Sequence, residues 1–143
     1  MVILLGISMM TAKEKVVTWA GSDISCLPNG HKNLAMHIHS KLTIVVDGVP
    51  ELIPTSIGDT KDCMAEVHTH DASGAIHAEG IVFKEITLKD FFAVWGKNIE
   101  REGYTLSASV AGVLVENPAD IVIEDGKDIV YTYTKIVKTD ASE

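Results

Sequence analysis

All six histidines of the 143-residue chain lie between residues 31 and 77. Three of them, His68, His70 and His77, fall in one stretch, "MAEVHTHDASGAIHAE" (64–79), and two more form an H-x-H pair, His37 and His39. Imidazole is the commonest metal-ligating side chain, and an all-histidine set suits Zn, Cu, Fe or Ni better than Ca or Mg. Spacing decides whether the rings can meet. With Asp71-Ala72-Ser73-Gly74 as a hairpin loop, Val67–His70 runs antiparallel into Ala75–His77, and His68 faces His77 while His70 faces Ala75. Directly opposed residues share a face, and so do residues two apart on one strand, so three imidazoles converge on one side of the hairpin.

His37 and His39 obey the same rule on their own strand, and four or five rings surround one spot if that strand meets the hairpin. His68, His70 and His77 are therefore the expected primary ligands, with His37 and His39 as ligands or close neighbours. Copper and zinc are the expected ions. Glu66, Asp71 and Glu79 are placed to orient the imidazoles or to complete a mixed donor set. His31, in a polar loop, is expected to stay solvated, and Met36 and Met64 to enter the core.

Other chemistries fit less well. Ser73 lacks a G-x-S-x-G elbow, and Asp71, Ser73 and Gly74 read as turn chemistry. Cys63 and His68 stand five residues apart, on opposite strand parities. There is no phosphate-binding glycine loop.

The elements that must hold these residues are mostly strands. In "LAMHIHSKLTIVVDG", Leu34, Met36, Ile38, Leu42, Ile44 and Val46 share one parity, and His37, His39, Lys41 and Thr43 the other. Asp47-Gly48 closes this strand with a favoured tight-turn pair, and "VPELIP" returns as a short edge strand interrupted by Pro50 and Pro54. "LTIVVDGVPELIP" (42–54) lies over "LSASVAGVLVENP" (106–118), suggesting an internal repeat of residues 42–70 and 106–134. "IVIEDGKDIVYTYTK" reads as a hairpin turning at Asp125-Gly126, with Tyr131 and Tyr133 on one face. Thr87 and Asp90 have capping-box spacing, and Leu88, Phe91, Phe92, Trp95 and Ile99 recur at helical intervals before Gly103. That pattern predicts one helix over about residues 87–102, its aromatic stripe packed on a sheet.

The expected fold is mainly β (α+β): a small antiparallel sheet or barrel-like domain of two related hairpin units and one packed helix. Residues 26–138 form this domain. Residues 1–25 form a leading strand or membrane-anchor remnant plus a loop, and residues 139–143 a tail. "MVILLGISMM" (1–10) is too short as it stands to span a bilayer. A net charge of −8 argues against nucleic acid, because no basic stripe is available to displace counterions. Cys26 and Cys63 are open between a disulfide, two reduced core thiols and metal ligands.

The segments "MHIHSKLTIVVDG", "IPTSIG", "CMAEVHTHDASGAIHAE" and "ITLKDFFAVWGK", in this order, resemble an uncharacterised family of archaeal and bacterial proteins. These proteins carry H-x-H, H-T-H-D-x-S-G-x-I-H and T-L-x-x-F-F-x-x-W-G motifs, often behind a membrane anchor. The resemblance covers roughly residues 26–135. It implies that His37, His39, His68, His70, Asp71 and His77 belong to a shared signature, and it favours an extracytoplasmic or anchored location. Asp59 follows the glycine of "IPTSIG" where an apolar residue is expected. The H-x-H pair with a further histidine on a neighbouring strand is also similar in geometry to the metal arrangements of cupins and β-type zinc lyases. Cupin spacing and glycines are absent.

Three functional classes follow. The first is a copper- or zinc-binding protein for storage, transport or sensing, alone or with ligands shared in a homo-oligomer. The second is a metal-dependent hydrolase or lyase with Glu66 or Glu79 as general base. The third is a structural or interaction domain whose histidine cluster responds to pH.

Overall fold

The computed structural model describes residues 19–140. The leading segment "MVILLGISMM" and the last tail residues lie outside the described residues, as do the strand and anchor readings of that segment. Among the described residues, no helix is long and apolar enough to cross a membrane.

The domain is mainly β with one α-helix. Its strands are β1 (Met36–Val46), β2 (Val49–Glu51), β3 (Asp59–Thr60), β4 (Cys63–Met64), β5 (Val67–His68), β6 (Ala75–Gly80), β7 (Tyr104–Val110), β8 (Val113–Val115) and β9 (Asp128–Lys135). The helix α1 (Leu88–Trp95) stands between β6 and β7. The main sheet runs β5-β6-β1-β9-β7-β8, with β2 paired to β1, and β3 and β4 form a separate ribbon. It is an open sheet, not a barrel. All of its pairs are antiparallel except β1 with β9, which are parallel.

Alternation along β1 holds as the sequence predicts. Met36, Leu42 and Ile44 are buried, whereas His37, His39 and Lys41 are exposed on the other parity. The apolar parity meets Ile129, Tyr131 and Tyr133 of β9, and Ala108 of β7, on the same face. Helix α1 closes that face, with Phe92 stacked on Tyr131 at a centroid distance of 5.7 Å. Its aromatic stripe is therefore core.

Thr87 N–H and the Thr87 hydroxyl both reach Asp90 Oδ2, at 2.9 and 3.0 Å, so the capping pair forms. The helix is shorter than predicted. Gly96 adopts φ 74° and ends it, with Gly96 N–H and Lys97 N–H both donating to the Phe92 carbonyl. Ile99 still packs against the core from an irregular segment, which is why its spacing imitates another helical turn.

The predicted hairpin at 121–135 does not form. Asp125-Gly126 makes its turn, but the leading arm pairs elsewhere: Ile123 N–H donates to Ile86 O, and Leu88 N–H to Ile121 O. Strand β9 is then free to lie between β1 and β7. The Asp125 carboxylate instead accepts the His39 N–H (2.9 Å), and Gly126 N–H donates to His39 O (2.8 Å), just beyond the start of the β1–β9 ladder. The two other hairpins turn alike, with φ 48° and 80° at Asp47-Gly48 and 49° and 81° at Ala111-Gly112. Beyond them the segments diverge, since β5 lies at the sheet edge and β9 near its centre.

Two local contacts hold the frame. Gly74 has φ +85°, and a Cβ there would overlap the Leu42 carbonyl oxygen. Leu42 N–H also donates to Gly74 O (2.9 Å), so the 71–74 reversal docks against β1. At the other end Glu51 of β2 takes a bidentate pair from Arg101 (2.7 Å for each bond) and a further bond from Lys97. The Arg101 guanidinium lies 4.1 Å over the Tyr133 ring. These bonds hold the Glu51 carboxyl at about 2.

Gly74→Ala should lower stability by about 1–3 kcal/mol through strain and displacement of the hairpin. Chemical denaturation measures this, and an unchanged midpoint would contradict the close approach. Arg101→Ala should cost about 1–3 kcal/mol. Because the Glu51 pKa is depressed in the fold, that contribution is present above its ordinary value of 4.5 and disappears as pH falls through 2. An Arg101→Ala destabilisation that grows toward pH 2 would contradict the pairing.

Candidate metal centre

The site is written on three adjacent strands. β5 pairs with β6 through His68↔His77, the register expected from the 71–74 turn. β6 pairs with β1 through His39↔His77 and His37↔Glu79. His68, His77 and His39 therefore form one row across the sheet, with Glu79 and His37 in the next, on the face opposite Val67, Ala78 and Ile38. The neighbouring rings are 5.3 Å apart for His68–His77, stacked, and 4.5 Å for His77–His39. The ladder assigned between β5 and β6 stops at His68, but the His70 ring still lies 4.6 Å from those of both His68 and His77.

Glu79 is the centre of this group, and its side chain has 0% exposure. Its Oε1 lies 3.0 Å from His37 Nε2 and 3.5 Å from His77 Nδ1. Its Oε2 lies 2.9 Å from His31 Nδ1 and 4.0 Å from His68 Nε2. The contacts to Oε1 are close but poorly directed, and Oε1 and His77 Nδ1 are both buried without a hydrogen-bond partner. Such a pair is costly if nothing else engages it.

The donors sort into two groups: His37, His39, His77 and Glu79, and His31, His68 and His70. Within each, one donor atom per residue lies within 4.8 Å of the others. All six histidines take part, including His31. The expectation that His31 stays solvated is corrected: its ring is half-exposed yet reaches Glu79 and sits 5.2 Å from His70. What brings it there is the pairing of 24–27 with 64–66. Leu27 N–H donates to Met64 O, Glu66 N–H to Ser25 O, and Cys26 is disulfide-bonded to Cys63. Both cysteines are consumed in this bond, so neither is a ligand.

Asp59 is the second residue that sequence reasoning missed. Its Oδ2 lies 3.3 Å from His70 Nδ1. The 54–57 segment is bound to the Thr69 region by Thr69 N–H to Ile57 O and by the Thr69 hydroxyl to Pro54 O, and this delivers Asp59 to the ring. The unexpected acid after "IPTSIG" was the available signal.

His68 Nδ1 lies 2.8 Å from Ala65 O. A carbonyl only accepts, so Nδ1 carries the proton and Nε2 presents its lone pair. That lone pair is 3.1 Å from His70 Nε2.

The remaining candidates are engaged elsewhere. Asp71 Oδ1 accepts Ser73 N–H at 2.9 Å, fixing the turn rather than an imidazole, and the Ser73 hydroxyl and N–H together lower its pKa. Glu66 accepts Ser25 N–H and pairs with Lys84. Met36 is buried and Met64 half-buried. The large surface concavity of about 1020 Å³ beside α1, lined by Phe92, Arg101 and Tyr104 among others, contains none of the histidines.

Comparison of the chain with models of protein families, with curated proteins and with solved structures finds no significant match.

Burial, together with the nearby His68, His70 and His39, pushes the His77 pKa down to about 4, against a smaller opposing pull from Glu79. Burial also lowers that of His68. A base with a depressed pKa in the fold is protonated first in the unfolded chain. Metal-free protein should therefore be fully stabilised above pH 6.5 and lose stability as pH falls from 6.5 toward 4. Glu51 adds no slope above 4.5. Thermal midpoints across this window should fall with pH, and His77→Gln should flatten the slope. An equal slope in that variant would overturn the assignment.

Proposed function

We propose that the protein binds transition-metal ions of the copper and zinc class through its histidine cluster, in an oxidising, extracytoplasmic setting. The observation that carries this reading is the buried, partnerless pair His77 Nδ1 and Glu79 Oε1 in the middle of that cluster. An ion between them would satisfy both atoms at once. Donors on one zinc ion, with bonds of about 2.0–2.2 Å, stand about 3–3.5 Å apart. The 3.0 and 3.5 Å spacings around Glu79 Oε1 and the 3.1 Å between His68 Nε2 and His70 Nε2 have this scale.

The donor chemistry supports the same class. Imidazole and carboxylate without free thiolate suit Zn, Cu(II), Fe or Ni rather than Cu(I). The disulfide supports the oxidising compartment, because such bonds persist in exported proteins. Binding for storage, transport or sensing is favoured over hydrolysis. Glu66 is tied to Lys84 and the Ser25 N–H, and Glu79 is completely buried among imidazoles, so neither proposed base is free to approach a metal-bound water.

Protein purified without added metal should carry zinc or copper in elemental analysis, and chelation should lower its thermal midpoint. At about 100 times Kd, returned metal should add about 2.7 kcal/mol of stability. His77→Ala should weaken binding by ten-fold or more, whereas Lys135→Ala, on β9 away from the histidines, should leave it unchanged. Absence of retained metal, with no response of the melting curve to zinc or copper, would sink the reading.

A further inference from the structure

We infer that the cluster holds two ions, one in each donor group, with the Glu79 carboxylate as the bridge between them. This rests on the metal-binding reading above and extends it to nuclearity and ligand assignment. One group offers His37, His39 and His77, and the other His31, His68 and His70. Glu79 has one oxygen toward each: Oε1 toward His37 and His77, Oε2 toward His31 and His68.

Three arguments support two ions over one. First, seven donor residues exceed what one ion of this class accepts, since zinc takes four or five ligands and octahedral ions six. Second, each group has a buried acceptor atom turned into the cluster. In the first, His77 Nδ1 and Glu79 Oε1 are buried and unsatisfied. In the second, the Ala65 carbonyl fixes the His68 proton on Nδ1, so the fully buried His68 Nε2 turns its lone pair toward His70 Nε2, 3.1 Å away. In the metal-free protein His70 Nε2–H donates to that lone pair. An ion beside both nitrogens would take the place of that one shared proton, with His70 shifting its own proton to Nδ1 beside Asp59. Third, two adjacent cations need an anion between them, and among the described residues Glu79 is the only carboxylate with contacts to both groups. Its complete burial keeps water from competing for either oxygen.

The test is a titration of metal-free protein with Zn(II), counted by equilibrium dialysis and elemental analysis. Wild type should bind two ions per chain. His39→Ala and His70→Ala alter rings that are exposed or partly exposed, and each should retain one ion; the double variant should retain none. Circular dichroism melts confirm that each variant folds. Cu(II) loading adds a readout for the bridge: at two equivalents the electron paramagnetic resonance signal should be broadened and weaker than the sum of two isolated ions, and Glu79→Gln should restore the sum. One ion per wild-type chain, lost in either single variant, would overturn the two-ion assignment while leaving the metal-binding reading intact. Two ions retained in both single variants would place them elsewhere and overturn it as well. Coupling unchanged in Glu79→Gln would remove the bridge. No binding by wild type would overturn both readings.

Discussion

A carboxylate removed from water must be engaged on both oxygens, and Glu79 is the residue on which this requirement falls. It is completely buried, and it stands on β6 at a parity shared with His77. The same alternation sends Ile76 and Ala78 into the apolar core. One six-residue strand thus serves two interiors, an apolar one and a polar one. Its central place in the polar one explains why β5, β1 and the loop before β1 all bring imidazoles to it. If Glu79 were an apolar residue, the rows of rings on either side would lose the one anion they share.

The rings are held by structures that do not themselves touch the centre. The Cys26–Cys63 bond closes a loop of sequence separation 37, worth roughly 4 kcal/mol in the chain-entropy view. Its consequence for the site is positional, because it fastens the segment leading to His31 onto the β4–β5 region. The 54–59 segment does the same for His70 through Thr69 and Asp59. The Asp125 turn secures the backbone of His39. His31, His70 and His39 are therefore tied to different parts of the chain, and the cluster depends on the whole domain having folded.

This dependence sets what was legible in the sequence. Features fixed by local rules were readable: the parity of β1, the His68↔His77 register imposed by the 71–74 turn, the Thr87–Asp90 cap and the shared face of Tyr131 and Tyr133. Features fixed by distant pairing were not. Nothing local states that β6 lies beside β1, although that adjacency turns an H-x-H pair and a hairpin into one cluster. Asp125-Gly126 carries every local sign of a hairpin turn, yet β1 and β7 compete for β9 and take it. His31 looked like a solvated loop residue because its approach follows from the disulfide and the 24–27 pairing, which the cysteine count left open. The C-terminal end of α1 was misplaced for a simpler reason, since Ile99 is buried for tertiary reasons at a helical spacing.

Burial also bears on which proton state the cluster favours. Removing imidazoles from water disfavours their cationic form, and the two most enclosed rings, His68 and His77, are both shifted toward neutrality. Neutral imidazole is the form that ligates, so near neutral pH these lone pairs are available without first displacing a proton. Each donor group joins solvent-facing rings to an enclosed one: His37 and His39 to His77, and the half-exposed His31 to the fully buried His68. An entering ion would thus meet hydrated donors first and enclosed, pre-oriented ones last. That order suits a centre in which exposed ligands capture an ion and buried ones set how firmly it is kept.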